Sequence, residues 1–143
     1  MRDFSIALTS VILTSVVGYI TFSKQYNSDE KFRLNENINK LLDIELQYPF
    51  LEDSTFISKW ERNRNSNNDS ALRYLTYCEY VFNTLQNVCD YYNYDLEKID
   101  EFMDVNDLII MHRAYWENPE LQKTESPEFR AFVNRVYTRL KSN

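Results

Sequence analysis

One glycine in 143 residues sets a narrow limit on what this chain can fold into. It is Gly18, and everything after it must turn without the residue that enters left-handed backbone at no steric cost. Tight hairpins depend on glycine, usually as Asn-Gly or Asp-Gly, and the chain has only three prolines to help. A β-sheet has almost no turn chemistry to draw on. The expected fold class is therefore all-α.

Gly18 lies inside a second constraint, an uncharged run from Phe4 to Phe22, FSIALTSVILTSVVGYITF, bounded by Met1-Arg2-Asp3 and Lys24. As a helix the run would reach roughly 28 Å, close to the hydrocarbon thickness of a bilayer. A cleaved signal needs small residues at its exit, where this run has Tyr19, Ile20 and Phe22. The sequence predicts a single transmembrane helix over residues 1–24 and a small helical bundle domain over residues 25–143. Lys24, Lys31, Arg33 and Lys40 follow the run, against Arg2 before it. That bias in basic residues places the C-terminal domain in the cytoplasm. Cys78 and Cys89 lie eleven residues apart on one expected helix, too far along it to pair with each other. Reduced thiols suit the same compartment.

Within the run, Ala7, Ser10, Thr14, Gly18 and Thr21 recur at three and four and share one stripe. Small residues so spaced let two helix backbones approach, and hydroxyls can bond across the contact. The stripe is the candidate for self-association of the span into a homo-oligomer. The competing reading is that each Ser or Thr bonds to its own helix at the carbonyl four residues back.

Beyond Lys24 the helical period can be followed segment by segment. Leu34, Ile38, Leu41 and Leu42, with Glu45, form a stripe over about Asp29–Leu46 that ends at Tyr48-Pro49; the span either runs into this helix or breaks near Asn27-Ser28. Asp53 or Ser54 can cap a short helix to Trp60, and Arg62–Ser70 is a polar, Asn-rich linker. The strongest periodicity, about Ser70–Tyr92, repeats Leu75, Cys78, Phe82, Leu85, Cys89 and Tyr92. Leu72, Tyr74, Tyr77, Val81 and Val88 widen that face. It should be the central buried helix. Asp104 caps a helix over Val105–Trp116, and Ser126-Pro127-Glu128 gives a cap, a first-turn proline and an acid in the order that opens a helix.

No catalytic set emerges. His112 is the one histidine, without the paired ligands of a zinc site. A Cys-His pair with Cys78 or Cys89 is formally open, but cysteines at core spacing are usually inert. The upstream arginine that a HEPN-type ribonuclease pairs with its histidine is missing: Val105, Asn106 and Asp107 hold the positions. The acidic stretch from Asp90 to Asp107 lacks the glycine and the ligand alternation of a calcium loop. Six tyrosines between Tyr74 and Tyr94 could stack on bases. Arg2 and Asp3 cancel, however, so the whole net charge of −6 falls on the bundle, the wrong field for nucleic acid. The tyrosines read as aromatic core. Arg130, Arg135, Arg139 and Lys141 form a basic ridge on the last helix, suited to its C-terminal dipole or to acids elsewhere. No enzyme activity, cofactor or metal is expected.

Three stretches, Tyr77-Cys78-Glu79-Tyr80-Val81, His112-Arg113-Ala114-Tyr115-Trp116 and Ser126-Pro127-Glu128-Phe129-Arg130-Ala131-Phe132-Val133, resemble the DUF4760-type group of small bacterial and phage proteins. The resemblance covers roughly Leu72–Val136. It implies an N-terminal membrane span, a helix with a central Glu and a final aromatic helix, and no activity. The glycine that commonly follows the central helix in that group is replaced here by Asn93-Tyr94-Asp95. At the shared positions, Glu79 could bond to Arg113 or Arg130 as an interhelix polar contact, of the kind that specifies packing more than it stabilises. The functional expectation is a membrane-anchored helical adaptor that presents its bundle to a protein partner. The alternative is a self-assembling, pore-like membrane effector of a bacterial or phage defence system.

Overall fold

The computed structural model describes the backbone of residues 2–63 and 69–142, with side chains at 15, 17–60 and 69–142. Among these residues the structure is all-α, without a strand. Seven helices follow in order: α1 Arg2–Gln47, α2 Ser54–Asn63, α3 Asp69–Tyr91, α4 Leu96–Asp100, α5 Val105–Met111, α6 Arg113–Trp116 and α7 Pro127–Lys141. Single 3-10 turns at Pro49–Glu52 and Leu121–Thr124 complete it. The chain divides into two compact units, one up to Glu36 and one from Asn37 onward.

The described backbone of the first unit is helical, because α1 passes through Asn27-Ser28 unbroken. No proline or described glycine turn interrupts the ladder there, and Arg33 pairs with Glu30 at 2.9 Å across one turn. Between residues 17 and 22 its apolar side chains lie outward: Val17 is 55% exposed, Tyr19 73%, Ile20 48% and Phe22 69%. Among the described residues no helix is long and apolar enough to cross a membrane. Most of the run from Phe4 to Phe22 has side chains outside the described ones, and so do Ala7, Ser10 and Thr14 of the small-residue stripe. The two described members divide. Gly18 has open space where a Cβ would stand, while the Thr21 hydroxyl donates to the Val17 carbonyl of its own helix at 2.9 Å.

The second unit is built on α3, whose buried face runs through Ala71, Tyr74, Cys78, Val81, Phe82, Leu85, Val88 and Cys89. Phe82 is stacked by Tyr115 and Trp116 of α6, with ring centroids 5.2 and 5.0 Å away, and Trp116 meets Phe129 of α7 edge-on at 5.8 Å. Two buried indoles keep their N–H groups satisfied: Trp60 donates to the Ala71 carbonyl at 3.2 Å and Trp116 to Asn134 Oδ1 at 2.8 Å. Leu72, expected on the buried face, is 57% exposed. It is turned about 100° from Ala71, past the edge of the core stripe.

Capping follows local chemistry. Asp53 accepts from Phe56 N at 2.7 Å, Asp104 from Asp107 N at 2.9 Å, and Ser126 from Phe129 N at 3.2 Å. The C-terminus of α3 is a Schellman closure in which Tyr94 N reaches Cys89 O at 2.8 Å and Asn93 N reaches Asp90 O at 3.3 Å. Asn93 and Tyr94 are left-handed there, with φ of 51° and 59°. Asparagine tolerates this region; tyrosine does so less readily. Tyr94 is held by its hydroxyl, which donates to Asp90 at 2.6 Å, and by its ring against Phe132 at 5.7 Å. Asn93→Gly should therefore raise stability by about 0.5 kcal/mol, read as a higher urea midpoint in circular dichroism.

Candidate functional site

The expected single helix over Val105–Trp116 is broken at His112. The residue adopts φ −98° and ψ 22°, in the bridge region between helix and extended backbone, so that α5 ends at Met111 and α6 begins at Arg113. His112 N still reaches Leu108 O at 3.1 Å, and His112 O accepts from Tyr115 N at 3.0 Å. No proline or glycine causes the turn. It lets the imidazole, 2% exposed, sit against the 3-10 turn and α3.

Both ring nitrogens have partners. Nε2 faces Glu52 Oε1 at 3.4 Å, and Nδ1 lies 2.9 Å from the Tyr74 hydroxyl. A carboxylate needs a hydrogen on Nε2, which in the neutral ring leaves Nδ1 to accept from Tyr74. The rings of Tyr74 and Tyr77 flank the imidazole at 5.8 and 5.6 Å. Glu52 stands on the 3-10 turn, where Pro49 fixes the first position.

The same Glu52 oxygen accepts from the Tyr77 hydroxyl at 2.5 Å, and that hydroxyl lies 2.7 Å from Glu45 Oε1 near the end of α1. One phenolic proton thus serves two carboxylates. Burial alone would raise the Glu52 carboxyl, but the hydrogen bonds from His112 and Tyr77 and the nearby imidazole outweigh it, and its pKa falls below the usual value. Burial, followed by the bonds to Glu52 and Glu45, drives the Tyr77 hydroxyl far above the ordinary tyrosine range.

Cys78 Sγ lies 3.8 Å from His112 Nδ1, so the structure does bring the formal Cys-His pair together. Its electrostatics oppose a nucleophile. Burial pushes the Cys78 thiol well up, the Glu52 and Glu79 charges add to the rise, and the Tyr74 hydrogen bond only partly offsets them. Cys89 is pushed up to about 12 by burial and by Asp90. Both cysteines are free and buried. Among the described residues no group of three His, Cys, Asp or Glu side chains is placed to hold a metal.

Beside this network opens a cleft of about 200 Å³. Ile38, Leu41, Val81, Met103, Leu108 and Met111 make most of its wall, and Glu45, Glu52, Tyr77, Asp107 and His112 add polar groups to it. The sequence carried one hint of it, the carboxylate of Glu45 in an otherwise aliphatic stripe.

No family model, curated protein or solved structure matches the chain. The resemblance to the DUF4760-type group rests on the quoted residues alone. Among those residues, the interhelix contact expected from Glu79 to Arg113 or Arg130 is not formed. Glu79 is exposed, and no ion pair joins it to either arginine. Cys78 occupies the middle of the buried face, which turns the next residue about 100° outward. The charge that Glu79 acts on is Glu125, 5% exposed, whose carboxyl is raised by burial and by that neighbour. Within the acidic stretch, Asp95 pairs with Lys98 at 2.7 Å and Asp104 caps α5. On the basic ridge, Arg139 donates to Asn106 at 3.2 Å and Lys141 pairs with Glu117 at 3.2 Å.

Tyr77→Phe leaves two carboxylates without their shared donor, so it should cost about 1–3 kcal/mol in urea unfolding at pH 7. A second expectation concerns pH. The lowered folded pKa of Glu52 means its contribution is complete above the ordinary value of 4.5 and is lost as pH falls through the folded value. The urea midpoint of the wild type should therefore drop more between about pH 5 and 3 than that of Glu52→Gln.

Proposed function

We propose that this chain is a single-pass membrane protein in which residues 1–24, the first part of α1, lie in the bilayer and the helical bundle acts as a cytoplasmic interaction module. One observation carries the reading: Val17, Tyr19, Ile20 and Phe22 are each about half exposed or more on α1, at the end of an uncharged run long enough to reach across a hydrocarbon core. Bare apolar side chains on every side of a helix call for lipid or protein around them. Lys24, Lys31, Arg33 and Lys40 beyond the run favour a cytoplasmic bundle.

An adaptor role is supported by what the bundle offers: protonated, buried thiols and an apolar groove of about 430 Å³ along Ile44, Tyr48, Leu51, Leu72 and Tyr80. Arg73 borders that groove, its guanidinium 5.0 Å from the Tyr48 ring. The groove is the surface on which a protein partner would seat. Self-assembly through the span is left to Gly18 among the described stripe residues, since Thr21 spends its hydroxyl on its own helix.

The test is alkaline carbonate extraction of the full chain from cells. The wild type should stay in the membrane pellet and Val17→Arg/Ile20→Arg should move to the supernatant. A wild type released by carbonate would refute the anchor. Protease added to right-side-out vesicles should spare the bundle, and dye-loaded liposomes should stay intact, where a pore-like assembly would empty them.

A further inference from the structure

We infer that the cleft beside His112 binds a small aliphatic amine, with the ammonium group at Glu45 and Asp107 and the hydrocarbon tail along Leu41, Leu108 and the two methionines. Three observations converge on that class. The first is size: about 200 Å³ accommodates a chain of roughly six carbons with its head group, and is small for a drug-sized ligand. The second is the make-up of the wall, mostly aliphatic and thioether, Met103 and Met111 included, with the carboxylates of Glu45, Glu52 and Asp107 set among them. Thioether side chains adapt their shape to flexible tails.

The third is the supply of hydrogen-bond donors. The Tyr77 hydroxyl already serves Glu45 and Glu52, and His112 is engaged through both ring nitrogens, with Glu52 and Tyr74. No lysine or arginine lines the cleft. Its side chains therefore offer acceptors and negative charge with no free donor, so a carboxylate or phosphate ligand would meet repulsion. An alkylammonium supplies three donors and a positive charge, and its tail takes up the apolar wall. A bare metal ion would leave that wall unused. All residues of the cleft belong to the unit from Asn37 onward, so the inference stands whether or not α1 enters a bilayer.

The experiment uses the full chain in phosphatidylcholine nanodiscs with ¹³C-methyl methionine, which gives at most three signals, and titrates n-hexylammonium, n-hexanol and n-hexanoate at pH 7. Hexylammonium should shift the Met103 and Met111 methyl signals saturably in the millimolar range, and hexanoate should leave them in place. Glu45→Gln and Asp107→Asn should each weaken the amine by about fivefold; Asp107 is exposed, so its variant keeps the bundle folded whatever Glu45→Gln does. Hexanol or hexanoate saturating at the same concentration as the amine overturns the inference. So does the absence of a saturable shift, or an Asp107→Asn affinity within about twofold of wild type.

Discussion

A buried imidazole has two nitrogens to satisfy, and leaving one unpaired costs about 1–3 kcal/mol. Answering both for His112 draws in Tyr74 from α3 and Glu52 from the 3-10 turn, and through Glu52 the Tyr77 hydroxyl and Glu45 at the end of α1. Segments far apart in sequence are thereby fixed in one register. Apolar packing alone tolerates sliding and repacking, whereas a chain of hydrogen bonds among charged groups accepts one arrangement and penalises the rest. The bundle takes its stability from rings such as Phe82, Trp116 and Phe129, and takes its particular arrangement from the polar line beside them.

What the sequence made legible was local. The scarcity of glycine excluded sheets, and caps at Asp53, Asp104 and Ser126 could be read because a cap involves only its own first turn. The buried face of α3 was visible because Tyr74, Cys78, Val81, Phe82, Leu85 and Cys89 keep the helical period. The break at His112 was not visible, since no proline or glycine marks it and Val105–Trp116 is periodic throughout. Its cause lies on other helices. Of the six tyrosines expected in the core, Tyr74 and Tyr77 are buried there and Tyr80, Tyr91, Tyr92 and Tyr94 only half-buried, and the use of the Tyr77 hydroxyl depends on Glu45 and Glu52, which are distant in sequence. Glu79 failed for a related reason: a motif names a residue without saying which side of the helix it occupies.

The chemistry of the bundle suits the binding role proposed for it. Its thiols are held protonated by burial, several of its carboxylates are tied to hydroxyls, lysines and backbone amides, and the cavity next to them is mostly apolar. Neither described thiol is activated as a nucleophile.

The placement of the one glycine bears on the unfolded chain as much as on the folded one. Gly18 lies in the first unit, so the sequence from Asn37 onward contains none. Glycine surrenders more backbone freedom on folding than any other residue, and each one absent narrows the denatured ensemble, an effect of about 0.4–1 kcal/mol where the native backbone accepts a side chain. The bundle accordingly gives up less conformational entropy when it folds than a glycine-rich chain of equal length. The left-handed turn at Asn93 and Tyr94 is where that economy is partly returned, as strain confined to two residues of the native state.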